Sequence, residues 1–437
     1  MRPVDTLLTA RWIIPVEPES CVLEGHALVI QAGRIADILP AATASGQYQP
    51  ACRFNFPSHA LIPGLINTHT HAAMTLLRGL ADDLPLMEWL HDHIWPAEAR
   101  WVNPEFVNDG TQLAMAEMLR GGITCFNDMY FFPDVAAEAV TACGMRACVG
   151  LIVVDFPTAW AQHPQEYLAK GLALHQALKP NPLISTALAP HAPYTVSKDP
   201  LQRISELAQE LIIPVHMHVH ETAAEVRQSE ARHGCRPLAY LDKLGLLTPR
   251  LAAVHMTQLD NAEIDRIAAA GVHVVHCPES NLKLASGYCP AARLDAAGVN
   301  VALGTDGAAS NNDLDLFGEM RTAALLGKAV AGDAAALPAH RVLRMATLNG
   351  ARALGLDQEI GSLEIGKWAD ITAVDLGAIE AEPVYHPISQ LVYATGRHQV
   401  TDVWVAGQRL LENRSLTALD VNAIAQRARL WRDRIGN

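Results

Sequence analysis

The stretch "IPGLINTHTH", residues 62–71, ends an apolar run in two histidines that are separated by one residue. A short apolar run of this kind is typical of a buried strand. Successive side chains on a strand point to opposite faces, so His69 and His71 would share a face. Taken alone, the pair fits either hydrogen-bonded core histidines or half of a metal site. The strands that follow decide between the two.

Seven further apolar runs follow the first one and alternate with helical patterns. In chain order, the eight runs read "LIPGLINTHTH", "GITCFNDM", "RACVGLIV", "LISTALAPHA", "IPVHMHVHE", "LAAVHMTQL", "HVVHCPES" and "VNVALGTD". The helical segment "DNAEIDRIAAAGV" precedes the seventh run, with Asp260 or Asn261 as its N-cap. Alternating strands and helices favour a parallel sheet. Eight such units predict an α/β fold, a (β/α)8 barrel of the TIM type.

The two chain ends carry a different pattern. Both contain β-branched runs that are separated by glycine or polar turns, such as "HALVIQAGRIADILP" and "VTDVWVAGQRLLENRSL". We therefore expect residues 1–59 and 362–437 to build one small discontinuous β-sandwich domain. The barrel would form the catalytic domain, residues 60–361.

Composition and charge exclude several classes of protein. The chain has 437 residues, 50% hydrophobic, which allows a large core, and a formal charge of −13. No basic stripe is present, which argues against nucleic-acid binding. The N-terminus lacks a signal-peptide layout, and no apolar run approaches the ~18 residues of a membrane span. The eight cysteines show no CxxC spacing, so buried thiols in a cytoplasmic protein are expected.

Five of the eight runs end in residues that bind metals or transfer protons. Such residues at barrel strand ends gather at one mouth, where barrel active sites lie. They are His69 and His71, His191, the group His216, His218, His220 and Glu221, then His255, and finally Asp306. Imidazole and carboxylate together suit Zn²⁺ or Fe²⁺. The three histidines of the fifth run share a face, and spacing alone does not decide which of them reaches the mouth.

These motifs resemble the amidohydrolase superfamily. "PGLINTHTH", "HMHVHE", "AVHMTQL" and "GTDGAASNN" carry the resemblance within the barrel. "ATLNGARALGLDQEIGSLEIGKWADITAVD" looks like the ending of that family's deaminase and chlorohydrolase branch. The resemblance covers nearly the full chain, and it implies a homo-oligomer.

The resemblance also implies a ligand set. One divalent metal ion per subunit, zinc or alternatively iron, would be bound by His69, His71, His218 and Asp306. His218 is selected because Glu221 follows the metal histidine by three residues in this family. Two-metal members use a lysine near the end of the fourth strand, where this chain reads "ISTALAPHAP" without a lysine. A one-metal site of the deaminase type is therefore expected.

By the same resemblance, the chain would be a hydrolase that acts on C–N bonds of cyclic amidines. Asp306 would accept the proton of the attacking water, and Glu221 would protonate the ring nitrogen and assist departing ammonia. His255 would hold the nucleophile and stabilise developing charge. The H-x-E with PCxxC pattern of cytidine deaminases is absent, so deamination would use the barrel chemistry.

The segment "RGLADDLPLMEWLHDHIWPAEAR" looks like that of the 5′-methylthioadenosine/S-adenosylhomocysteine deaminases. The resemblance implies that Trp89 and Glu98 line a nucleoside pocket, with Glu98 accepting hydrogen bonds from the ribose hydroxyls. His191, in "APHAPYTVS", would contact the purine nucleoside substrate, as would Glu221 and Asp306.

The stretch after the third strand separates the candidate substrates. Members that accept S-adenosylhomocysteine carry arginines there, whereas this chain reads "VGLIVVDFPTAWAQHP". An apolar wall favours a methylthio group over a zwitterionic tail. We therefore expect conversion of 5′-methylthioadenosine to 5′-methylthioinosine and ammonia, with adenosine and S-adenosylhomocysteine as secondary substrates.

Two other interpretations stay open at this point. The first is a guanine deaminase or an s-triazine hydrolase on the same site, which would not need Glu98. The second is a non-catalytic barrel scaffold, which would be expected to lack metal ligands.

Overall fold

Seventeen strands form two sheets in the computed structural model, which describes residues 1–436. The strands are β1 Arg2–Ile13, β2 Leu23–Glu24, β3 His26–Gln31, β4 Arg34–Pro40, β5 Tyr48–Pro63, β6 Leu65–Thr70, β7 Ile123–Asp128, β8 Arg146–Val153, β9 Ile184–Pro190, β10 Val215–Val219, β11 Leu251–His255, β12 His273–His276, β13 Val301–Leu303, β14 Ile371–Asp375, β15 Val400–Val405, β16 Gln408–Glu412 and β17 Ser415–Leu416.

Strands β6 to β13 form one parallel sheet in chain order. Each of the eight predicted runs contains one of these strands, so the predicted (β/α)8 barrel is confirmed. Strand β8 is buried along its whole length, as expected for a parallel strand that is covered on both faces.

Contacts between β6 and the residues that follow β13 close the barrel. The backbone N–H of Asp306 donates to the carbonyl of His69 at 3.0 Å. The side-chain amide of Asn67 donates to the hydroxyl of Thr305 at 2.8 Å. Gly304 permits this approach, because a Cβ atom at that position would lie only 2.8 Å from the backbone nitrogen of His69. The closure brings the first and last predicted metal ligands of the chain together.

Helices cover the outer face of the barrel and connect its strands. The α-helices are Ala41–Gln47, Leu86–Glu88, Trp95–Trp101, Pro104–Arg120, Pro133–Cys143, Pro164–Leu178, Lys198–Leu211, Ala223–His233, Pro237–Lys243, Asn261–Ala270, Pro278–Lys283, Ala291–Ala296, Ala308–Asn311, Leu316–Ala331, Ala339–Met345, Leu348–Ala353, Pro387–Tyr393 and Val421–Ile435. A π-helical turn spans Trp89–Ile94, and 3₁₀ turns span Ala72–Leu77, Ile379–Ala381 and Arg397–Gln399. Asp260 caps Asn261–Ala270 through a capping box with Glu263, which confirms one of the two expected N-caps.

An apolar cluster separates the polar mouth from the opposite end of the barrel. Ile66, Cys125, Cys148 and Ala187 pack there against Ala351 of helix Leu348–Ala353. These residues form a packed apolar core beneath the mouth of the barrel.

The strands that we expected in a β-sandwich lie in one hydrogen-bonded sheet of nine strands. Its central strand β5 pairs in parallel with β1 and antiparallel with β14, which joins the two chain ends. Residues 60–63 of β5 still pair with β14, so this sheet continues past residue 59. After Gly64 the chain enters the barrel as β6.

All eight cysteines are free thiols, and Cys125, Cys148 and Cys277 are buried. Among residues 1–436, none of the helices combines the length and the apolar character that crossing a bilayer requires.

Candidate metal centre

Four of the predicted ligands converge at the mouth of the barrel. The ligand atoms of His69, His71, His218 and Asp306 all lie within 4.8 Å of one another. The Nε2 atoms of His69 and His71 each lie 3.2 Å from Oδ1 of Asp306. The Nε2 atoms of His69 and His218 are 3.2 Å apart. Three imidazole nitrogens and one carboxylate oxygen form a donor set that suits a divalent ion such as Zn²⁺ or Fe²⁺.

Hydrogen bonds behind the three histidines orient their rings. Nδ1 of His71 donates to the carbonyl of Met129 at 2.6 Å, and Nδ1 of His218 donates to the carbonyl of His191 at 2.7 Å. Nδ1 of His69 lies 2.8 Å from Nε2 of His216. With Nδ1 engaged in each ring, Nε2 is free to bind an ion, which is the arrangement that metal-binding histidines need. The residues present therefore fit a divalent metal ion.

Contacts with neighbouring side chains lower the pKa of Asp306 and fix its orientation. Burial raises the pKa of its carboxyl group, but hydrogen bonds and charge from His69 and His71 outweigh burial and lower the pKa well below its usual value. Oδ2 accepts hydrogen bonds from the hydroxyls of Ser280, at 2.7 Å, and Ser310, at 2.9 Å.

Glu221 and His255 lie beside this group. Oε2 of Glu221 is 3.9 Å from Nε2 of His255. Nδ1 of His255 pairs with the side-chain oxygen of Asn281 at 2.8 Å, so that Nε2 faces Glu221. Burial raises the pKa of Glu221, while the positive charge of a protonated His255 would lower it. A carboxylic acid with a raised pKa can donate a proton near neutral pH.

A second carboxylate fixes the backbone around Glu221. Glu225 is buried and accepts the backbone N–H groups of His220, at 2.9 Å, and Glu221, at 2.6 Å. Sequence analysis missed this role, although the pattern "TAAE" after Glu221 indicates a helix start capped by Thr222.

Backbone strain concentrates at the same strand ends. His220, His255 and Asp306 have φ values of 55°, 75° and 60°, in the left-handed region that side-chain-bearing residues rarely adopt. Such conformations persist where the surrounding structure enforces them, and they cluster at functional sites.

We call His69, His71, His218 and Asp306 together the metal group. A cavity of about 810 Å³ opens onto it. Eight of the nine residues that we predicted for the site line it, namely His71, Trp89, Glu98, His191, His218, Glu221, His255 and Asp306. The ninth, His69, is fully buried beneath the cavity and belongs to the metal group.

The predicted substrate contacts occupy different walls of the cavity. Trp89 is buried in the π-helical turn Trp89–Ile94, a rare element that is often found at functional sites. Glu98 accepts a hydrogen bond from the hydroxyl of Tyr130 at 2.8 Å, and burial raises its pKa to about 7. Burial is also the main cause that lowers the pKa of His191 to about 3, so that this imidazole is neutral.

The end of the third barrel strand and the stretch after it form part of the wall, as expected, and contribute Ile152, Val154 and Phe156. Two polar residues that sequence analysis missed, Gln228 and Arg232, also line the cavity. They lie one helical turn apart on Ala223–His233. The absence of arginine from the third-strand stretch therefore does not leave the cavity without a cation.

Comparisons with known proteins agree with this geometry. The "Amidohydrolase family" profile matches residues 60–410. A protein of Teredinibacter turnerae named 5-methylthioadenosine/S-adenosylhomocysteine deaminase is 53% identical over 99% of this chain and 98% of its own length. A protein of Saccharophagus degradans with the same name is 52% identical over 99% of this chain and 97% of its own length. The crystal structure of an adenosine deaminase from Xanthomonas campestris with bound zinc superposes with a TM-score of 0.98, at 58% identity and 99% coverage of both chains.

Proposed function

The chain belongs to the amidohydrolase family, and from this premise we propose that it is a metal-dependent hydrolase that deaminates adenine nucleosides. The reaction breaks a C–N bond of a cyclic amidine and converts 5′-methylthioadenosine and water into 5′-methylthioinosine and ammonia. The observation that carries the proposal is that one cavity contains the metal group, Glu221, His255 and Glu98 together. A non-catalytic scaffold would not be expected to retain this set.

His69, His71, His218 and Asp306 would hold the metal ion. Zinc is the ion that we propose, because the relative from Xanthomonas campestris binds it. When bound, the ion acts as a Lewis acid that lowers the pKa of water toward ~7.

The protein's own residues then move the protons. Asp306, whose pKa is lowered well below its usual value, accepts a proton from the attacking water as the water oxygen bonds to the amino-bearing carbon. Glu221 protonates the adjacent ring nitrogen, for which its raised pKa suits it. The proton taken from water passes to the amino group, which leaves as ammonia when the C–N bond breaks. The proton of the new hydroxyl group returns to Glu221 as the carbonyl of the product forms. His255, fixed by Asn281, stabilises the charge that develops on the oxygen.

Glu98 supports a nucleoside rather than a free base. A carboxylate accepts two hydroxyl hydrogen bonds well, and Glu98 presents a carboxylate to the cavity. Trp89 and His191 would complete the contacts to sugar and base. Guanine and s-triazines carry no ribose, so they would leave Glu98 without a partner.

The apolar wall of Ile152, Val154 and Phe156 supports a preference for the methylthio substituent. Arg232 provides one cation for a carboxylate-bearing tail, so S-adenosylhomocysteine is proposed as a secondary substrate, with adenosine. A cytoplasmic location and a homo-oligomeric state stay predictions.

The test is ammonia release, together with the ultraviolet change from adenine to hypoxanthine, on zinc-loaded protein. 5′-Methylthioadenosine, adenosine, S-adenosylhomocysteine and guanine are compared in parallel. We expect 5′-methylthioadenosine to give the highest kcat/KM. Fastest conversion of guanine would refute the nucleoside assignment, and fastest conversion of S-adenosylhomocysteine would refute the proposed preference alone.

A further inference from the structure

The hydroxyl of Tyr130 makes a hydrogen bond to which the proposed reaction assigns no role. This hydroxyl donates to Oε1 of Glu98 at 2.8 Å. Tyr130 is 5% exposed and follows β7, whereas Glu98 belongs to helix Trp95–Trp101, so the bond joins two separate elements of the cavity wall. Both residues line the cavity.

The Glu98 carboxylate has no second protein partner among residues 1–436. The hydrogen bond from Tyr130 is its only one there, and the groups that act on its charge are Tyr130 and His71, neither of them a lysine or an arginine. One carboxylate oxygen is therefore anchored, and Oε2 is available to the cavity. Burial raises the pKa of Glu98 to about 7, and a ligand that donates hydrogen bonds to this oxygen would stabilise the ionised carboxylate.

The chain around Tyr130 also contacts the metal centre. Oδ1 of Asp128 accepts the backbone N–H of Ala72 at 2.8 Å, and the carbonyl of Met129 accepts Nδ1–H of His71 at 2.6 Å. Asp128, Met129 and Tyr130 are consecutive in the chain. In that order, they contact the turn after β6, the proposed metal ligand His71, and Glu98, the carboxylate proposed to bind the ribose.

We propose that Tyr130 is a positioning residue for Glu98, and that segment 128–130 sets the spacing between the metal centre and the ribose. The inference rests on the proposed function. Because His71 and Glu98 are tied to adjacent residues of one segment, their separation does not depend on the longer connection between them through residues 72–97. Tyr130 selects which carboxylate oxygen faces the sugar, and it thereby favours substrates that carry the 2′ and 3′ hydroxyls.

The test compares adenosine with 2′,3′-dideoxyadenosine, which lacks both hydroxyls. The measured quantity is kcat/KM for adenosine divided by kcat/KM for 2′,3′-dideoxyadenosine. We expect Tyr130→Phe to lower this ratio about tenfold, mainly by raising KM for adenosine. Glu98→Gln should lower the ratio at least as much, and the double variant should add little to it. The ratio is unaffected by the fraction of folded protein. Zinc affinity, measured by chelator competition, should not change in Tyr130→Phe.

Tyr48→Phe is the matched control. The hydroxyl of Tyr48 donates to the Asp37 carboxylate at 2.8 Å in the chain-end sheet, remote from the cavity. In Tyr48→Phe, the ratio of kcat/KM for adenosine to kcat/KM for 2′,3′-dideoxyadenosine should equal that of the wild type.

Three results would overturn the inference. Equal losses of kcat/KM with both nucleosides in Tyr130→Phe would indicate a structural role only, and wild-type kcat/KM with both nucleosides would indicate that Glu98 needs no positioning. A wild-type protein that does not distinguish the two nucleosides would refute the ribose role of Glu98, and with it the inference. The first two results leave the proposed deaminase intact.

Discussion

Each imidazole of the candidate metal centre has its Nδ1 engaged by another group, and the identity of that partner determines whether it could be predicted from the sequence. Alternation along a strand predicted that His69 and His71 share a face. The partner of His71, however, is the backbone carbonyl of Met129, which follows β7. A carbonyl partner carries no side-chain signature, so the carbonyls that engage His71 and His218 could not be predicted from the sequence, whereas the candidate ligands themselves could be named from it.

Glu221 provides the test at the scale of one residue. Glu221→Gln removes the proton donor and keeps its size, so we expect kcat to fall about 10²–10⁴-fold. Zinc content should stay at the wild-type level, because Glu221 lies outside the ligand group. The measurement is steady-state deamination together with metal analysis on the same sample.

Glu230→Gln is the control for this change. Glu230 is exposed on the helix that follows Glu221, so its substitution should leave both kcat and zinc content unchanged. Full activity of Glu221→Gln would remove Glu221 from the mechanism.

At the scale of the element, the ends of the strands determine the site. The eight strands were predicted because each is a short apolar run, and the histidines follow from where those runs end. The first run does not correspond to a single strand. "LIPGLINTHTH" contains parts of two strands, β5 and β6, that belong to different sheets. Both are buried, so the apolar pattern continues across Gly64 and does not reveal which sheet each part joins.

The closure of the barrel gives a prediction for Gly304. A Cβ atom there would lie 2.8 Å from the nitrogen and 2.9 Å from the Cβ of His69. We expect Gly304→Ala to displace His69 from Asp306 and to weaken zinc binding at least tenfold, measured by chelator competition. It should also lower stability by about 1–3 kcal/mol in urea unfolding.

Gly234→Ala is the control for Gly304→Ala. It separates the steric effect on His69 from the general cost of replacing a glycine. Gly234 ends helix Ala223–His233, and a Cβ atom there would meet nothing within 4 Å. Its left-handed backbone gives Gly234→Ala a cost in stability, but zinc affinity should not change. Equal zinc affinities in the two variants would contradict the steric argument.

At the scale of the whole molecule, an ion pair joins the barrel to the chain-end sheet, the nine-stranded sheet that both ends of the chain build. Nε of Arg146, at the start of β8, donates to Oδ2 of Asp370 at 2.7 Å. The two side chains are 4% and 2% exposed. Asp370 also accepts the backbone N–H of Ala406 at 2.7 Å, and its carbonyl accepts the N–H of Gly64 at 2.9 Å.

Breaking one side of a buried pair leaves an uncompensated charge. We therefore expect Asp370→Asn to lower the free energy of unfolding by about 3–5 kcal/mol, measured by urea unfolding. Glu206→Gln, which breaks the exposed pair with Arg203, should cost less than about 1 kcal/mol. A loss from Asp370→Asn as small as that of the exposed pair would show that the two sheets do not depend on this contact.

The direct passage of β5 into β6 has a consequence for how the protein is made. One edge of β5 pairs with β14, and about 300 residues of chain lie between these strands. At roughly 5–20 residues per second, a ribosome needs on the order of 15–60 s to deliver β14 after β5 has been synthesised. During that interval the strand leading into His69 and His71 has an open edge. His69 and His71 of the candidate metal centre are thus synthesised long before β14, which completes the pairing of the strand that leads into them.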